Sequence, residues 1–268
     1  MSTVLCNSEA WFNLSKAELN LLETVDTMLL RRILSTPKTT PKEMLFLELG
    51  VLPLREIIKQ RRLTFLKYIL DQSPDSIIFK VFEKQCENRS KKDWVSTVIN
   101  DLEELELNVN FGDIQEMNNG KWKSIVKQCI KEKTFSKLNE MKKGHSKVNN
   151  VYYSKFELQD YFLPTNQKIT KEEARYIFKM RTKMINLKPN YKGKNNSSQC
   201  SICNNGDETQ EHLYNDCNEI IKGENNKNQE TPDYNSIIVG NVTEKLKVAR
   251  IFMQKMEVHN KLAKTDIT

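Results

Sequence analysis

Glycine and proline are scarce in this chain, with 8 and 7 among 268 residues. Sandwiches and barrels draw heavily on both for their turns, so the shortage disfavours them and favours helices. No stretch approaches the roughly 18 apolar residues that a membrane span needs. The opening Met1-Ser2-Thr3-Val4-Leu5-Cys6 lacks a basic segment followed by an apolar core, so no secretory signal is read there. A Gly-rich phosphate loop is missing, which argues against a nucleoside triphosphatase. A Gly-x-Ser-x-Gly elbow is missing too. No two aspartates are adjacent, whereas a two-metal polymerase needs clustered carboxylates to hold ions about 4 Å apart.

What is present is charge, unevenly placed. Apolar residues at 38% and charged residues at 29% suit a soluble globular protein of one large or two small domains. The net charge is +7. Between positions 121 and 147 nine lysines (121, 123, 127, 131, 133, 137, 142, 143 and 147) face only Glu132 and Glu140, a surplus equal to that of the whole chain. Such a concentration suits a polyanionic partner; the alternative is an ordinary solvated helix face.

Local signals place helices along most of the chain. Ser15 with Glu18, Thr40 with Glu43 and Thr170 with Glu173 have the spacing of capping boxes, in which side chain and backbone amides satisfy each other. After the first, Leu14, Leu21, Val25, Met28 and Leu29 recur on one face. Gly50 should end the helix opened at Thr40, and Pro53 should begin another, with Arg61 and Arg62 near its middle. Ser73-Pro74 leads toward Ile77, Ile78, Val81 and Phe82. Trp94, Val98, Leu102 and Leu105, then Trp122, Ile125, Val126, Cys129 and Ile130, mark two amphipathic helices. Phe111-Gly112-Asp113 reads as a break between them. Ala174, Ile177, Phe178, Met184 and Ile185 predict one helix running up to Pro189. A polar, Asn-rich stretch from 222 to 235 reads as a linker, and Val242, Leu246, Ala249, Phe252 and Met256 as a closing helix. The expected architecture is mainly α: a multi-helix region over 1–192, a small segment over 193–221, a polar linker over 222–240 and a C-terminal helix over 241–268.

The segment over 193–221 holds the strongest motif. Cys200 and Cys203 are followed, after eight residues, by His212 and, after four more, by Cys217. Two cysteines at this spacing turn both sulfurs toward one point, and a later His and Cys close a tetrahedron around Zn²⁺. Four protein ligands leave no open position, so the expected site is structural and holds one zinc. The alternative is a chance cluster of reduced thiols. Against it stands the setting (Asn195, Asn196, Ser197 and Ser198 before, Asn204, Asn205 and Gly206 inside), which is too polar to make a core and needs a staple to be ordered. Cys6, Cys86 and Cys129 lie far apart and are expected to be free thiols in an intracellular, reducing compartment.

Other candidate chemistry reads as ordinary. Asp101, Glu103, Glu104 and Glu106 alternate with leucines and are expected on an exposed helix side. His145 sits among lysines without an orienting partner, and His259 is expected to be exposed in a polar tail. Pro232-Asp233 is common turn chemistry. No catalytic residue is identified.

The motifs in sequence order resemble the region after the polymerase core in reverse transcriptases of non-LTR (LINE-type) retrotransposons. Ser8-Glu9-Ala10-Trp11, Leu22-Glu23-Thr24-Val25-Asp26 and Leu30-Arg31-Arg32-Ile33-Leu34 are similar to the helix that follows that core. Thr40-Pro41-Lys42-Glu43 with Leu47-Glu48-Leu49-Gly50-Val51-Leu52-Pro53-Leu54, then Arg61-Arg62-Leu63-Thr64-Phe65-Leu66 and Asp93-Trp94 with Asp101-Leu102, continue the likeness. Arg181-Thr182-Lys183-Met184, Asn190 and Glu208-Thr209-Gln210-Glu211-His212-Leu213 lead into the last cysteine. The family's aromatic-x-Asp-Asp centre has no counterpart here. The resemblance therefore implies a module without the polymerase site, working beside an upstream polymerase core, with nuclear access and with Cys200, Cys203, His212 and Cys217 as zinc ligands.

The function expected on this footing is binding of RNA or DNA by charge and shape. Lys121, Lys123, Lys127, Lys131, Lys137, Lys142 and Lys143 are the main phosphate candidates, with Arg61, Arg62, Arg175, Arg181 and Lys183 behind them. Tyr152, Tyr153 and Tyr161 are candidates for base stacking, against the alternative of core packing. The competing reading is a non-catalytic, zinc-stabilised protein–protein module.

Overall fold

The computed structural model describes residues 5–88, 90, 92–163, 169–190, 198–223 and 231–265. It is mainly helical, and among the described residues the one bridge of β type pairs Gln199 with Asp207. Asn195, Asn196 and Ser197, and positions 224–230 of the expected linker, lie outside the described residues. The chain forms two compact units. The first takes the residues up to Leu29 and Val51–Leu138; the second takes Leu30–Gly50 and Asn139–Thr268. The zinc-type motif and the closing helix, set out above as separate pieces, both belong to the second unit.

The first unit contains most of α1 (Lys16–Leu34), then α3 (Leu54–Leu70), α4 (Ile77–Asn88), α5 (Trp94–Glu104), α6 (Phe111–Glu116) and the larger part of α7 (Asn119–Lys143). Its core gathers Leu63, Leu66 and Leu70 of α3, Trp94, Val98 and Leu102 of α5, Ile114 of α6, and Trp122, Val126 and Ile130 of α7. Burying each such side chain contributes about 1.5–3 kcal/mol. Trp122 Nε1 donates to Leu63 O at 2.8 Å, so the indole is buried with its polar atom satisfied. α3 is tied to α5 by Lys59 to Glu104 and Arg62 to Asp101, both 2.5 Å.

The local signals fared unequally. The Ser15–Glu18 and Thr170–Glu173 boxes form, and further boxes at Asp93–Ser96 and Asn110–Asp113 open α5 and α6. Phe111-Gly112-Asp113 is thus the start of a helix and not a break. The box at Thr40 does not form. α2 (Lys42–Leu49) has Pro41 at its cap position, with no side-chain oxygen to offer, and the Thr40 hydroxyl bonds that of Thr36 at 2.5 Å. The apolar face that periodicity marks on α1 is not the buried one. Leu21, Val25, Met28 and Leu29 are exposed, whereas Asp26, Thr27, Leu30 and Leu34 are buried.

The second unit is built around α2, α8 (Lys171–Arg181), α9 (Asn218–Gly223), α10 (Ser236–Val239) and α11 (Val242–Thr265). Leu246, Ala249 and Phe252 of α11 are buried, as are Ile177 and Phe178 of α8. α8 ends eight residues before Pro189. Lys183 takes a left-handed conformation (φ 55°). Met184 N–H bonds Lys179 O at 2.8 Å and Lys183 N–H bonds Met180 O at 3.0 Å, the two bonds of a Schellman turn. Ser35 and Glu106 end α1 and α5 in the same way. Where glycine does stand, its lack of a side chain is used. Gly50 (φ 59°) closes α2, and a Cβ there would lie 2.3 Å from the backbone of Glu157.

At the centre of this unit Glu48, fully buried, accepts from Arg181 Nε at 2.8 Å, from Tyr153 Oη at 2.6 Å and from Tyr161 Oη. Burial opposes the Arg181 charge, but Glu48 outweighs it and holds the guanidinium ionised. Tyr153 and Tyr161 are therefore core residues. Tyr152 alone of the three is exposed.

Two stability predictions follow from these buried charges. Glu48→Ala leaves Arg181 buried and unpaired, and should cost about 3–5 kcal/mol in urea unfolding. Asp26 receives Leu54 N–H at 3.2 Å, but its second oxygen is buried without a donor. Burial pushes its pKa from 3.8 up to about 6. Because the folded state holds the proton more tightly, this group's contribution is most favourable below about pH 4 and is lost as pH rises through 6. Asp26→Asn should therefore be more stable than the parent at pH 7 and no more stable at pH 4. Parallel pH profiles for the two proteins would refute the assignment.

Candidate metal centre

Polar sequence around Cys200 is organised by backbone bonds. Cys200 N–H donates to Gly206 O at 2.9 Å, Asn204 N–H to Cys200 O at 3.1 Å, and Glu208 N–H to Ser198 O at 2.8 Å. These close a knuckle in which Asn204 (φ 53°) and Gly206 (φ 75°) are left-handed. A Cβ on Gly206 would sit 3.6 Å from His212 Nδ1, an ordinary contact, so glycine serves here for its left-handed backbone.

His212 and Cys217 come from one wide turn. Residues 212–216 form a π-helical turn, and Cys217 N–H donates to His212 O at 2.9 Å. In an α-helix residues five apart point about 140° from each other; the wider turn brings both side chains to the same side. The result is that one donor atom from each of Cys200, Cys203, His212 and Cys217 lies within 4.8 Å of the others. His212 Nε2 is 3.2 Å from Cys203 Sγ, and Asn205 N–H points at the same sulfur at 3.4 Å. Cys200 and Cys217 are fully buried, whereas Cys203 and His212 are half-buried.

The donor set fits a cation. Burial, with the neighbouring sulfurs adding to it, pushes the Cys217 thiol up to about 12 and raises Cys200 as well. Three thiolates cannot share so small a volume unaided; a divalent ion reverses that penalty and displaces the protons. Cys200, Cys203 and Cys217 would bind through sulfur and His212 through Nε2, a closed four-ligand arrangement.

Glu208 secures the centre from behind. Buried itself, it accepts from Lys188 N–H at 3.2 Å, Ser201 N–H at 3.0 Å and Ser201 Oγ at 2.5 Å, and lies 3.5 Å from His259 Nε2. Burial opposes its charge, yet His259 and Ser201 outweigh it and hold the carboxyl down at about 2. His259 is thus buried on α11 and not exposed. Lys183 pairs with Glu211 at 2.9 Å, one residue before the histidine. Tyr234 donates to Gln210 at 2.7 Å, and Lys255 to Tyr214 O at 2.6 Å. The supporting roles of Glu208, Gln210 and His259 were not foreseen; their partners are too distant in sequence.

The proposed phosphate contacts separate into two groups. Lys121, Lys123, Lys127 and Lys137 are exposed on α7 within the first unit, and Lys143 is exposed in the second, paired with Glu140 at 2.7 Å. Lys131 is half-buried. Arg62, Lys142 and Arg181 are corrections to the expectation. Each is buried and turned inward: Arg62 to Asp101, Arg181 to Glu48, Lys142 to the carbonyls of Asn149 and Val151. A long cation on a helix is legible as a cation, but its partner decides whether it meets solvent. Arg61 donates to Leu5 O and Ser8 Oγ, and Arg175 to Ile33 O. Asp101 is likewise buried, and His145 lies 3.2 Å from Glu43. Asp233 Oδ1 accepts Asn235 N–H at 3.0 Å, the local turn that its sequence suggested.

Fold and site together define a mainly helical chain with a Cys₃His cluster compatible with a metal ion. Among the described residues no helix is long and apolar enough to cross a membrane. Comparison with protein-family models, with curated proteins and with solved structures finds no match to the chain.

Elemental analysis should find about one tightly held metal ion per chain. Cys203→Ser should lose it and speed amide exchange between residues 199 and 218. The helices of the first unit should keep their protection in that variant; their loss would tie the metal to the whole fold.

Proposed function

We propose that the chain is a nucleic-acid-binding module, stapled by one structural zinc, of the kind that follows the polymerase core in LINE-type reverse transcriptases. The observation that carries this reading is the set of exposed lysines on α7. Lys121, Lys123, Lys127 and Lys137 stay exposed while Trp122, Val126 and Ile130 anchor the same helix in the core. An anchored helix presents its charges at fixed positions, so phosphates are met without first ordering the protein. Zinc is favoured over other ions by the sulfur-rich, four-ligand donor set. RNA or DNA is the partner, an upstream polymerase core supplies any synthesis, and this chain contributes no catalytic group. Work on a retrotransposon's DNA target requires access to the nucleus.

A second reading rests on a separate observation. Leu21, Val25 and Met28 form an exposed apolar stripe on α1, which suits a zinc-stabilised protein–protein module. The salt response separates the two. Four phosphate contacts imply roughly a 50-fold loss of single-strand affinity between about 50 and 200 mM salt. Replacing Lys121, Lys123, Lys127 and Lys137 together with alanine should flatten that dependence. Weak binding that is flat in salt for the parent protein favours the protein–protein module.

A further inference from the structure

A groove of about 510 Å³ lies in the first unit, beside the N-terminal half of α7. One wall is α3, which presents Gln60, Thr64 and Tyr68 at successive intervals of four residues, on a common face. The other wall carries Lys123 and Lys127, also four apart, about 6 Å along the helix axis. Both lysines are exposed, and among the described residues neither has an ion-pair partner. Glu9 is the acidic residue in the lining; Arg61 stands near it with its guanidinium committed to Leu5 O and Ser8 Oγ.

Tyr68 is the unusual member. Its residue is 51% exposed, yet its ring is not loose. Phe65 lies beneath it, nearly parallel at 13° and 5.5 Å between centroids. Phe65 in turn meets the edge of Trp94 at 6.0 Å, and Trp94 Nε1 donates to Glu9 O at 2.9 Å. A rigid aromatic shelf with an open ring, flanked by two unpaired cations, has the composition of single-strand sites: a base stacks while neighbouring phosphates are neutralised. A duplex buries its bases' faces and offers nothing to such a shelf.

We infer that this groove binds single-stranded nucleic acid, with a base stacked on Tyr68 and adjacent phosphates on Lys123 and Lys127. Gln60 and Thr64 supply hydrogen-bonding groups along the base edge. The inference rests on the nucleic-acid reading above and narrows it to one surface and one strand state.

The test uses the full chain, a fluorescent 12-nucleotide single strand in DNA and RNA versions, and a blunt duplex of the same length. Tyr68→Ala should weaken binding of the single strand about 10-fold without changing its salt slope, because no phosphate contact is lost. Tyr68→Phe keeps the ring and should stay within about twofold of the parent. Duplex affinity should be unaffected by either change. Lys123→Ala with Lys127→Ala should reduce the single-strand salt slope by about 1.4. Urea midpoints of the variants check that folding is intact. If the parent binds and Tyr68→Ala binds the single strand equally well, or weakens single strand and duplex alike, the groove assignment is overturned and the broader reading stands. If the parent retains neither probe at low salt, both fall.

Discussion

Glu48 sits at the point where four segments of the second unit converge. Its two oxygens take the Arg181 guanidinium and two tyrosine hydroxyls, and no part of it reaches solvent. Arg181 extends the arrangement by donating to the carbonyls of Ile237 and Ile238. Segment 153–161 has little regular structure of its own, and these hydroxyls, with Gln159 N–H on Glu48 O at 3.0 Å and the buried Phe156, hold its path. A buried ion pair adds little net stability when complete but punishes every arrangement in which a member is missing. Its effect is to select one packing. The end of α8 is thereby set, and the Schellman turn that follows places Lys183 against Glu211, next to the metal cluster.

Reading the sequence recovered what is decided locally. The Ser15 and Thr170 boxes, the stop at Gly50 and the approach of four Cys and His residues all depend on neighbours a few positions away. Periodicity found α5 and α7 because Trp94, Val98, Trp122 and Val126 have no competing apolar face. On α1 it failed, since leucines line two sides and only tertiary packing chooses between them. The groove at Tyr68 was not legible either: α3 and α7 each look like ordinary amphipathic helices, and only their packing sets Lys123 and Lys127 beside the Phe65–Tyr68 shelf, which Trp94 of α5 backs.

Charge behaved in the same divided way. The lysine surplus is visible in the sequence, yet Lys142, Arg62 and Arg181 show that a basic residue on a helix need not be surface. Along α7 the buried positions fall at every fourth residue from Trp122 through Leu138, so the buried row winds around the helix by about 40° per step. Lys123 and Lys127 each follow a buried residue and stand on one flank of that row, facing the groove, whereas Lys133 precedes buried Thr134 on the other flank and turns to Glu106.

The poverty in glycine leaves a mark on how helices stop. Ser35, Glu106 and Lys183 occupy left-handed positions where glycine is the usual occupant, each at a cost of about 1–3 kcal/mol. Glu106 and Lys183 return something glycine lacks: a charged arm, reaching Lys133 in one case and Glu211 in the other. Backbone comfort at these corners is exchanged for tethers between elements. A homologue rich in glycine at the two sites would turn its corners more easily and hold its neighbouring parts less firmly.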